Sequence, residues 1–311
     1  MDASQQRAAL TLCLMAAFAD GNNDDRERQA LQRAAATFGD GVDLTAVYEE
    51  VLLHRPDLAS VAGAFTTPEQ KGLAYEMAAG ICNADGATTQ AEHDFLARLA
   101  QVLGVQPADA ARVEQDATAV AAVSPASTAL DGALVSAIPA TGEDLDKMIL
   151  NYSILNGALE LLPQSLASMA IIPLQMRMVY RIGKAHGYEL DSGHIKDLLA
   201  TLGVGLTSQY LEQFGRKLMG GLLGSIGGGL LGGLGRAGTG AAFSFATTYA
   251  LGQVAKRYYA GGRSIDTAGL QQAFSQMLGQ AKQMQGKYTA QITEQARTLD
   301  LSKVMSAIRG G

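Results

Sequence analysis

The feature that most restricts the fold of this chain is a run of glycines in its second half. Residues 218–235 read LMGGLLGSIGGGLLGGLG, a stretch without charged residues in which half of the residues are glycine. Two rows of small residues recur at every fourth position. They are Gly220, Gly224, Gly228 and Gly232, and beside them Gly221, Ser225, Gly229 and Gly233. On a helix each row lies on one face, so a second helix can approach backbone to backbone.

A second uncharged stretch, residues 237–255, follows this glycine ladder after Arg236. Two segments of this length are long enough for a helical hairpin that inserts into a membrane. The ladder is poorly suited to drive insertion, because a leucine contributes only about −0.3 to −0.6 kcal/mol at the bilayer centre. A hairpin buried in the protein and a hairpin in contact with lipid therefore both stay open. Basic residues flank the pair, and they are Arg216, Lys217, Lys256 and Arg257.

Charge and length divide the chain into two parts. Its 311 residues suffice for two domains. The net charge of −6 is distributed unevenly between the two halves of the chain. Residues 1–145 carry 21 acidic and 8 basic side chains, whereas residues 146–311 carry 9 and 16. Apolar residues recur three and four apart, which predicts an all-α fold. The predicted parts are an acidic helical domain at 1–122, a linker at 123–145, a glycine-rich helical domain at 146–265 and an amphipathic helical tail at 266–311, which we expect to dock.

Composition and motifs argue against several classes of protein. Two cysteines, Cys13 and Cys82, are too few for a disulfide framework or a zinc ribbon, which favours a reducing, cytoplasmic setting. The first residues do not resemble a secretory signal. The chain has no tryptophan and only 6% aromatic residues, so we expect no nucleic-acid partner. The sequence has no phosphate-binding loop and no nucleophile motif, and we predict that the protein is not an enzyme.

The acidic half contains an internal repeat with a period of 65 residues, measured from Asp20 to Asp85. Each copy has an Ala-Asp-Gly loop after an apolar helix. A glutamate follows each aspartate by seven residues, and a closing glycine follows it by 19. Thr88 or Thr89 is placed to cap the helix after the second loop. The pattern predicts two copies of a helix–loop–helix unit.

Two roles are open to the acidic residues of the repeat. Carboxylate oxygens are ligands that hard divalent cations prefer, so we predict metal ligands at Asp20, Asp24, Glu27, Asp85 and Glu92. The first copy is the better candidate because it offers more oxygen donors, and the cation is Ca²⁺, Mg²⁺, Mn²⁺ or Zn²⁺. In the alternative, the aspartates only stabilise the turn and the glutamates only stabilise helix N-termini.

The duplicated Ala-Asp-Gly loop, with its glutamate seven residues later, resembles the TerB family of tellurite-resistance-associated helical proteins. The resemblance covers about residues 1–120. It implies a helical domain whose acidic residues bind metal, and it transfers to Asp20, Glu27, Asp85 and Glu92, with Asp24 as an additional ligand. It does not imply a role in tellurite resistance itself.

The second half contains a proline-punctuated helix on which Arg177, Arg181 and Lys184 predict a basic face. This helix, the stretch up to Gly205 and the glycine ladder together resemble the YcjF-like domain, over about residues 150–265. That helical domain is found fused to, or encoded beside, dynamin-like and other GTPases and is often membrane-associated. The resemblance implies a GTPase partner or a membrane lipid, and it carries no catalytic residue.

These observations predict a non-enzymatic accessory protein, cytoplasmic and either peripheral to or inserted in the inner membrane. An acidic cation-binding or sensing module is coupled to a glycine-zipper module that works at a membrane or with a GTPase, in an envelope or metal stress response. The alternative is a structural homo-oligomeric scaffold in which the glycine ladder is buried and no metal binds.

Overall fold

The computed structural model describes residues 3–21, 44–54, 56–84, 88–126, 145–162, 169–202 and 234–300. Helices account for the secondary structure of these residues, and no strand occurs among them. The prediction of an all-α fold is therefore confirmed. The described helices group into two compact units, one made of the helices before residue 122 and the other of the helices from residue 145 onward.

The first unit is built around two long helices that pack on each other, α1 and α4. Its helices are α1 (Ala3–Ala17), α2 (Leu44–His54), α3 (Leu58–Ala62), α4 (Pro68–Cys82), α5 (Gln90–Leu103) and α6 (Pro107–Ala121). Helix α1 also contacts α2 and α3, and α4 contacts α5 and α6. Leu10, Tyr75, Met77 and Leu96 are among the large side chains buried in this core.

Local signals in the sequence explain where the helices of the second copy begin and end. Thr89 is the N-cap of α5, which confirms the expectation that Thr88 or Thr89 caps this helix. The helix ends at Leu103, and Gly104 follows with a φ of 70°, a left-handed conformation that glycine adopts without strain. Thr67 caps α4 in the same way as Thr89 caps α5, through a capping box with Gln70.

The repeat is longer than the sequence pattern indicates. Helices α1 and α4 have the same length and are offset by the repeat period, since Ala3 corresponds to Pro68 and Ala17 to Cys82. Helices α2 and α6 are related by the same offset to within two residues at either end. Each copy therefore includes a third helix, which the sequence analysis did not find. The positions of the first copy that correspond to α5 lie outside the described residues.

The second unit contains α7 (Leu145–Glu160), α8 (Ile171–Ala185), α9 (Ser192–Thr201), α10 (Leu234–Ala260), α11 (Thr267–Met284), a 3-10 turn (Gln285–Tyr288) and α12 (Thr289–Thr298). Helix α7 packs on α8 and α12, and α9 packs on α8 and α11. In α11 the apolar stripe is buried at Leu270, Phe274 and Ala281. The C-terminal helices thus dock on this unit, as expected.

The second uncharged stretch lies entirely within α10, which begins where the glycine ladder ends. The ladder itself, up to Gly233, lies outside the described residues, so the prediction of close packing there stays a prediction. Among the helices that are described, none combines the length and the apolar character needed to cross a bilayer.

Candidate functional site

Asp20 lies in the turn that ends α1, and it is half-buried. Gly21, which follows it, has a φ of 71°, so the loop uses glycine for a left-handed turn as the sequence indicated. Asp20 lines an open cleft of about 660 Å³ together with Phe18, Phe95 and Arg98. The carboxylate thus borders a space with apolar walls and one guanidinium.

Glu92 lies in the first turn of α5 and takes part in a capping box. Its Oε2 accepts hydrogen bonds from the Thr89 amide at 2.7 Å and from the Thr89 hydroxyl at 2.9 Å. The Glu92 amide in turn donates to Thr89 Oγ1 at 3.3 Å. This is the structural role that the sequence left open for the glutamates, and one carboxylate oxygen of Glu92 fills it.

Carboxylates from both copies contribute to the pKa of one buried thiol, that of Cys82. Burial raises the pKa of this thiol, and the charges of Glu92, Glu114 and Asp20 are among the groups that raise it further. Asp20 belongs to the first copy and Glu92 to the second. Both therefore lie within electrostatic reach of the same sulfur, at the end of the unit where α1 and α4 finish.

Glu114 in α6 is a member of this group that the sequence analysis missed. Its Oε1 accepts a hydrogen bond from the hydroxyl of Tyr75, and its Oε2 lies 3.6 Å from His93 Nδ1. Burial raises the pKa of Tyr75, and the hydrogen bond to Glu114 adds to this shift. The signal that was available is Glu49, which lies exactly one repeat period before Glu114.

A second polar network stabilises the end of α4. Asn83 is almost fully buried, and its Nδ2 donates to the carbonyl of Ala79 at 2.9 Å. Its Oδ1 accepts from the hydroxyls of Thr88 at 2.8 Å and Thr118 at 2.9 Å. Asn83 thus joins the loop before α5 to α6 and satisfies its own buried amide.

The described residues bring together only part of the predicted metal site. Asp24, Glu27 and Asp85 lie outside them, so their role as ligands stays a prediction. Within the described part of the chain, no three His, Cys, Asp or Glu side chains are grouped so that they could hold a metal ion. Asp20 and Glu92 are thus two acidic positions at one end of the unit rather than a complete coordination shell.

The predicted basic face is not continuous. Arg177 is 3% exposed, and its guanidinium donates to the carbonyl of Pro125 at 3.2 Å, so its assignment to the surface is wrong. The three residues do lie on one helix as predicted, but Arg177 is on the side of α8 that faces the core of the unit. Lys184 pairs with Glu189 at 2.6 Å. Arg181 is half-buried, which leaves Lys184 as the exposed cation of the three.

The other flanking basic residues lie at the C-terminal end of α10 or outside the described residues. Lys256 pairs with Asp146 at 2.8 Å, and Arg257 is exposed. Cations at this end are favoured by the negative end of the helix dipole. Arg216 and Lys217 are not among the described residues, and neither are the ladder glycines.

Helix α10 carries a row of small side chains that faces α7. We call Gly240, Ser244, Thr248 and Gly252 the small-residue row, because they repeat at every fourth position like the glycines of the ladder. A Cβ atom on Gly240 would lie 3.1 Å from Glu160 Cγ, and one on Gly252 would lie 2.6 Å from Ile149 Cγ2. Small residues at this spacing therefore do allow a close helix–helix approach in this protein.

A comparison with known protein families finds a match to one region of the chain. Residues 2–117 match the family model described as a protein of unknown function, DUF533. No curated protein and no solved structure matches the chain. The first unit is therefore similar, over almost its whole length, to this family of unknown function.

Proposed function

We propose that this protein is a non-enzymatic accessory protein in which the acidic first unit binds a divalent cation. The observation that carries the proposal is the repeated acidic loop, which puts Asp20 in the turn after α1 in the first copy and Glu92 in the first turn of α5 in the second. Carboxylate oxygens at such positions are the ligands that hard divalent cations prefer. The likeness to a TerB-like family supports the same role for the acidic positions.

Calorimetric titration of the full chain with Ca²⁺, Mg²⁺, Mn²⁺ and Zn²⁺ tests the proposal. We expect heat of binding with at least one cation and an affinity at least about tenfold lower for Asp20→Asn, because one charged ligand is lost. Asp94→Asn is the matched control, since Asp94 is an exposed carboxylate that accepts a hydrogen bond from Gln90. The absence of heat with every cation up to millimolar concentration would contradict cation binding.

We further propose that the second unit works at a membrane surface or with a GTPase. Support comes from the YcjF-like sequence features and from the excess of basic side chains after residue 145. Cell fractionation distinguishes the modes of attachment. Release from membranes by salt indicates binding through basic residues, whereas a requirement for detergent indicates insertion. Recovery only in the soluble fraction would contradict the membrane role and leave a GTPase as the partner to be tested by co-purification.

A homo-oligomeric scaffold without a metal is the second candidate function. The capping box of Glu92 favours it, because a glutamate that caps its own helix already has a structural role. The burial of the small-residue row inside the second unit also agrees with a structural use of such rows. Light scattering that yields a defined oligomer, combined with calorimetry that yields no heat with any cation, would favour the scaffold.

A further inference from the structure

The second unit contains a buried polar layer in which one hydroxyl joins three helices. Thr248 of α10, Asn156 of α7 and Gln175 of α8 are each at most 1% exposed. Thr248 Oγ1 accepts a hydrogen bond from Asn156 Nδ2 and another from Gln175 Nε2, both at 3.0 Å. Each of the three helices supplies one polar side chain, so the layer links the three helices at one level of the unit.

The contacts beside this layer show how α10 lies against α7. Gly240 and Ser244 meet Glu160, Thr248 meets Asn156, and Gly252 meets Ile149. The two helices therefore run antiparallel, with the small-residue row along their line of contact. Small side chains project little, so they interlock weakly with a facing helix. Apolar packing along such a row consequently discriminates poorly between registers that differ by one helical turn.

The polar layer adds discrimination of its own. A shift by one turn brings Ser244 or Gly252 to the position of Thr248. Ser244 would supply a hydroxyl from a shorter side chain, whereas Gly252 would remove the shared acceptor and leave two buried amides without it, which is unfavourable. Single buried polar residues are known to fix helix register in this way.

We propose that Thr248 is a positioning residue that sets the register of α10 against α7 and α8. The proposal goes beyond the cation and membrane roles, because it depends only on contacts inside the second unit. A second feature also opposes sliding, namely the close approach of Gly252 to Ile149. The two contributions are separable, because the polar layer can be replaced by apolar side chains of similar shape while Gly252 is kept.

Pulsed electron spin distance measurements on the full chain test the proposal. Spin labels at Lys147→Cys in α7 and Ala242→Cys in α10 report axial displacement, because these positions lie toward opposite ends of the contact. The native thiols of Cys13 and Cys82 are buried and have raised pKa values, so they label poorly in the folded protein. We expect a single narrow distance distribution for the labelled protein and for Thr248→Ser, which keeps the hydroxyl.

The triple variant Asn156→Leu, Gln175→Leu, Thr248→Val is expected to show a second population displaced by up to about 5.4 Å, the rise of one helical turn. The single variant Thr248→Val keeps most of the core and is expected to show the same second population. It therefore provides the test if the triple variant does not fold. An unchanged single distribution in the folded variants would overturn the proposal and assign the register to the Gly252 contact alone.

Discussion

The two copies of the repeat in the first unit share their helices but differ in what stabilises them. In the first copy the contacts are mostly apolar: Leu10 is fully buried, and Phe18 packs edge-on against Tyr48 with ring centroids 5.8 Å apart. The positions one period later in the second copy are Tyr75 and Asn83, and both make hydrogen bonds, partly buried at Tyr75 and buried at Asn83. The same arrangement of helices thus accommodates apolar side chains at these positions in one copy and polar side chains in the other.

The difference teaches that the repeat preserves the ends of its helices more strictly than the size or chemistry of the side chains. Cys13 corresponds to Ala78, and Cys82 corresponds to Ala17, so each thiol is opposite an alanine in the other copy. Leu53 is 75% exposed, whereas the corresponding Thr118 donates to the buried Asn83. The two copies therefore use these corresponding positions differently.

The largest effect should come from removing apolar volume in the first copy. Leu10→Ala is expected to lower the free energy of unfolding by about 3 kcal/mol, because it leaves a cavity in a fully buried site. Tyr75→Phe at the matching position removes only the hydroxyl and should cost about 1 kcal/mol. Urea denaturation measures both. Equal losses for the two variants would mean that the copies do not differ in the way described.

A smaller but still substantial effect is expected for the polar network of the second copy. Asn83→Ala removes one donor and one shared acceptor and leaves the hydroxyls of Thr88 and Thr118 without their partner. We expect a loss of about 2 kcal/mol in the free energy of unfolding. Thr118→Val, which removes one of these hydrogen bonds, is the partial control and should lose about half as much. A loss below that of Thr118→Val would contradict the central role of Asn83.

Much of this plan could be predicted from the sequence, but the pairing of side chains could not. The loops and helix ends follow from local signals, since glycine after Asp20 and threonine before α5 act within a few residues. The helix shared by α2 and α6 was missed because few of its residues match at the repeat offset, and buried Val47 and Val51 correspond to Arg112 and Asp116. The role of Glu114 was missed because its partner Tyr75 lies 39 residues away in the sequence.

The second unit shows where periodicity alone misleads. The spacing of Arg177, Arg181 and Lys184 places them near one another on a helix, but it does not say which side of the helix faces the core. Arg177 is buried, and the carbonyl of Pro125, 52 positions earlier, accepts a hydrogen bond from its guanidinium. Close packing along the glycine ladder stays a prediction because the ladder lies outside the described residues, and the close contacts of the small-residue row with α7 were not predicted.

The two copies can also be compared through the effect of pH on stability, because each contains one buried thiol, Cys13 or Cys82. Burial raises the pKa of Cys13 to about 12, so its thiol stays neutral in the folded protein while it ionises in the unfolded chain. Its contribution to stability is therefore complete below the unfolded pKa of about 8.5 and decreases as the pH rises toward 12. The stability difference between the natural protein and Cys13→Ala should fall by about 1.6 kcal/mol between pH 8.5 and 10.

Thermal unfolding across this pH range measures the effect. Cys82→Ala should show the same direction, because burial also raises the pKa of Cys82. Both folded pKa values lie above this pH range, so the effect depends on ionisation in the unfolded chain and should be of similar size at the two positions. A stability difference that does not change between pH 8.5 and 10 would contradict the burial of that thiol in its neutral form.

The smallest effect on stability is expected at Glu92, and it separates the two roles of the acidic residues. Glutamine also serves as the third residue of a capping box, so Glu92→Gln should change the free energy of unfolding by less than about 0.5 kcal/mol. Glu92→Ala removes the cap and should lose about 1 kcal/mol. If Glu92 is also a cation ligand, the rise in melting temperature on cation addition should shrink in Glu92→Gln although the helix is capped, because an amide oxygen binds a divalent cation more weakly than a carboxylate does. A cation-induced rise that is equal in Glu92→Gln and in the natural protein would assign Glu92 to the cap alone, and the acidic group would then depend on the first copy.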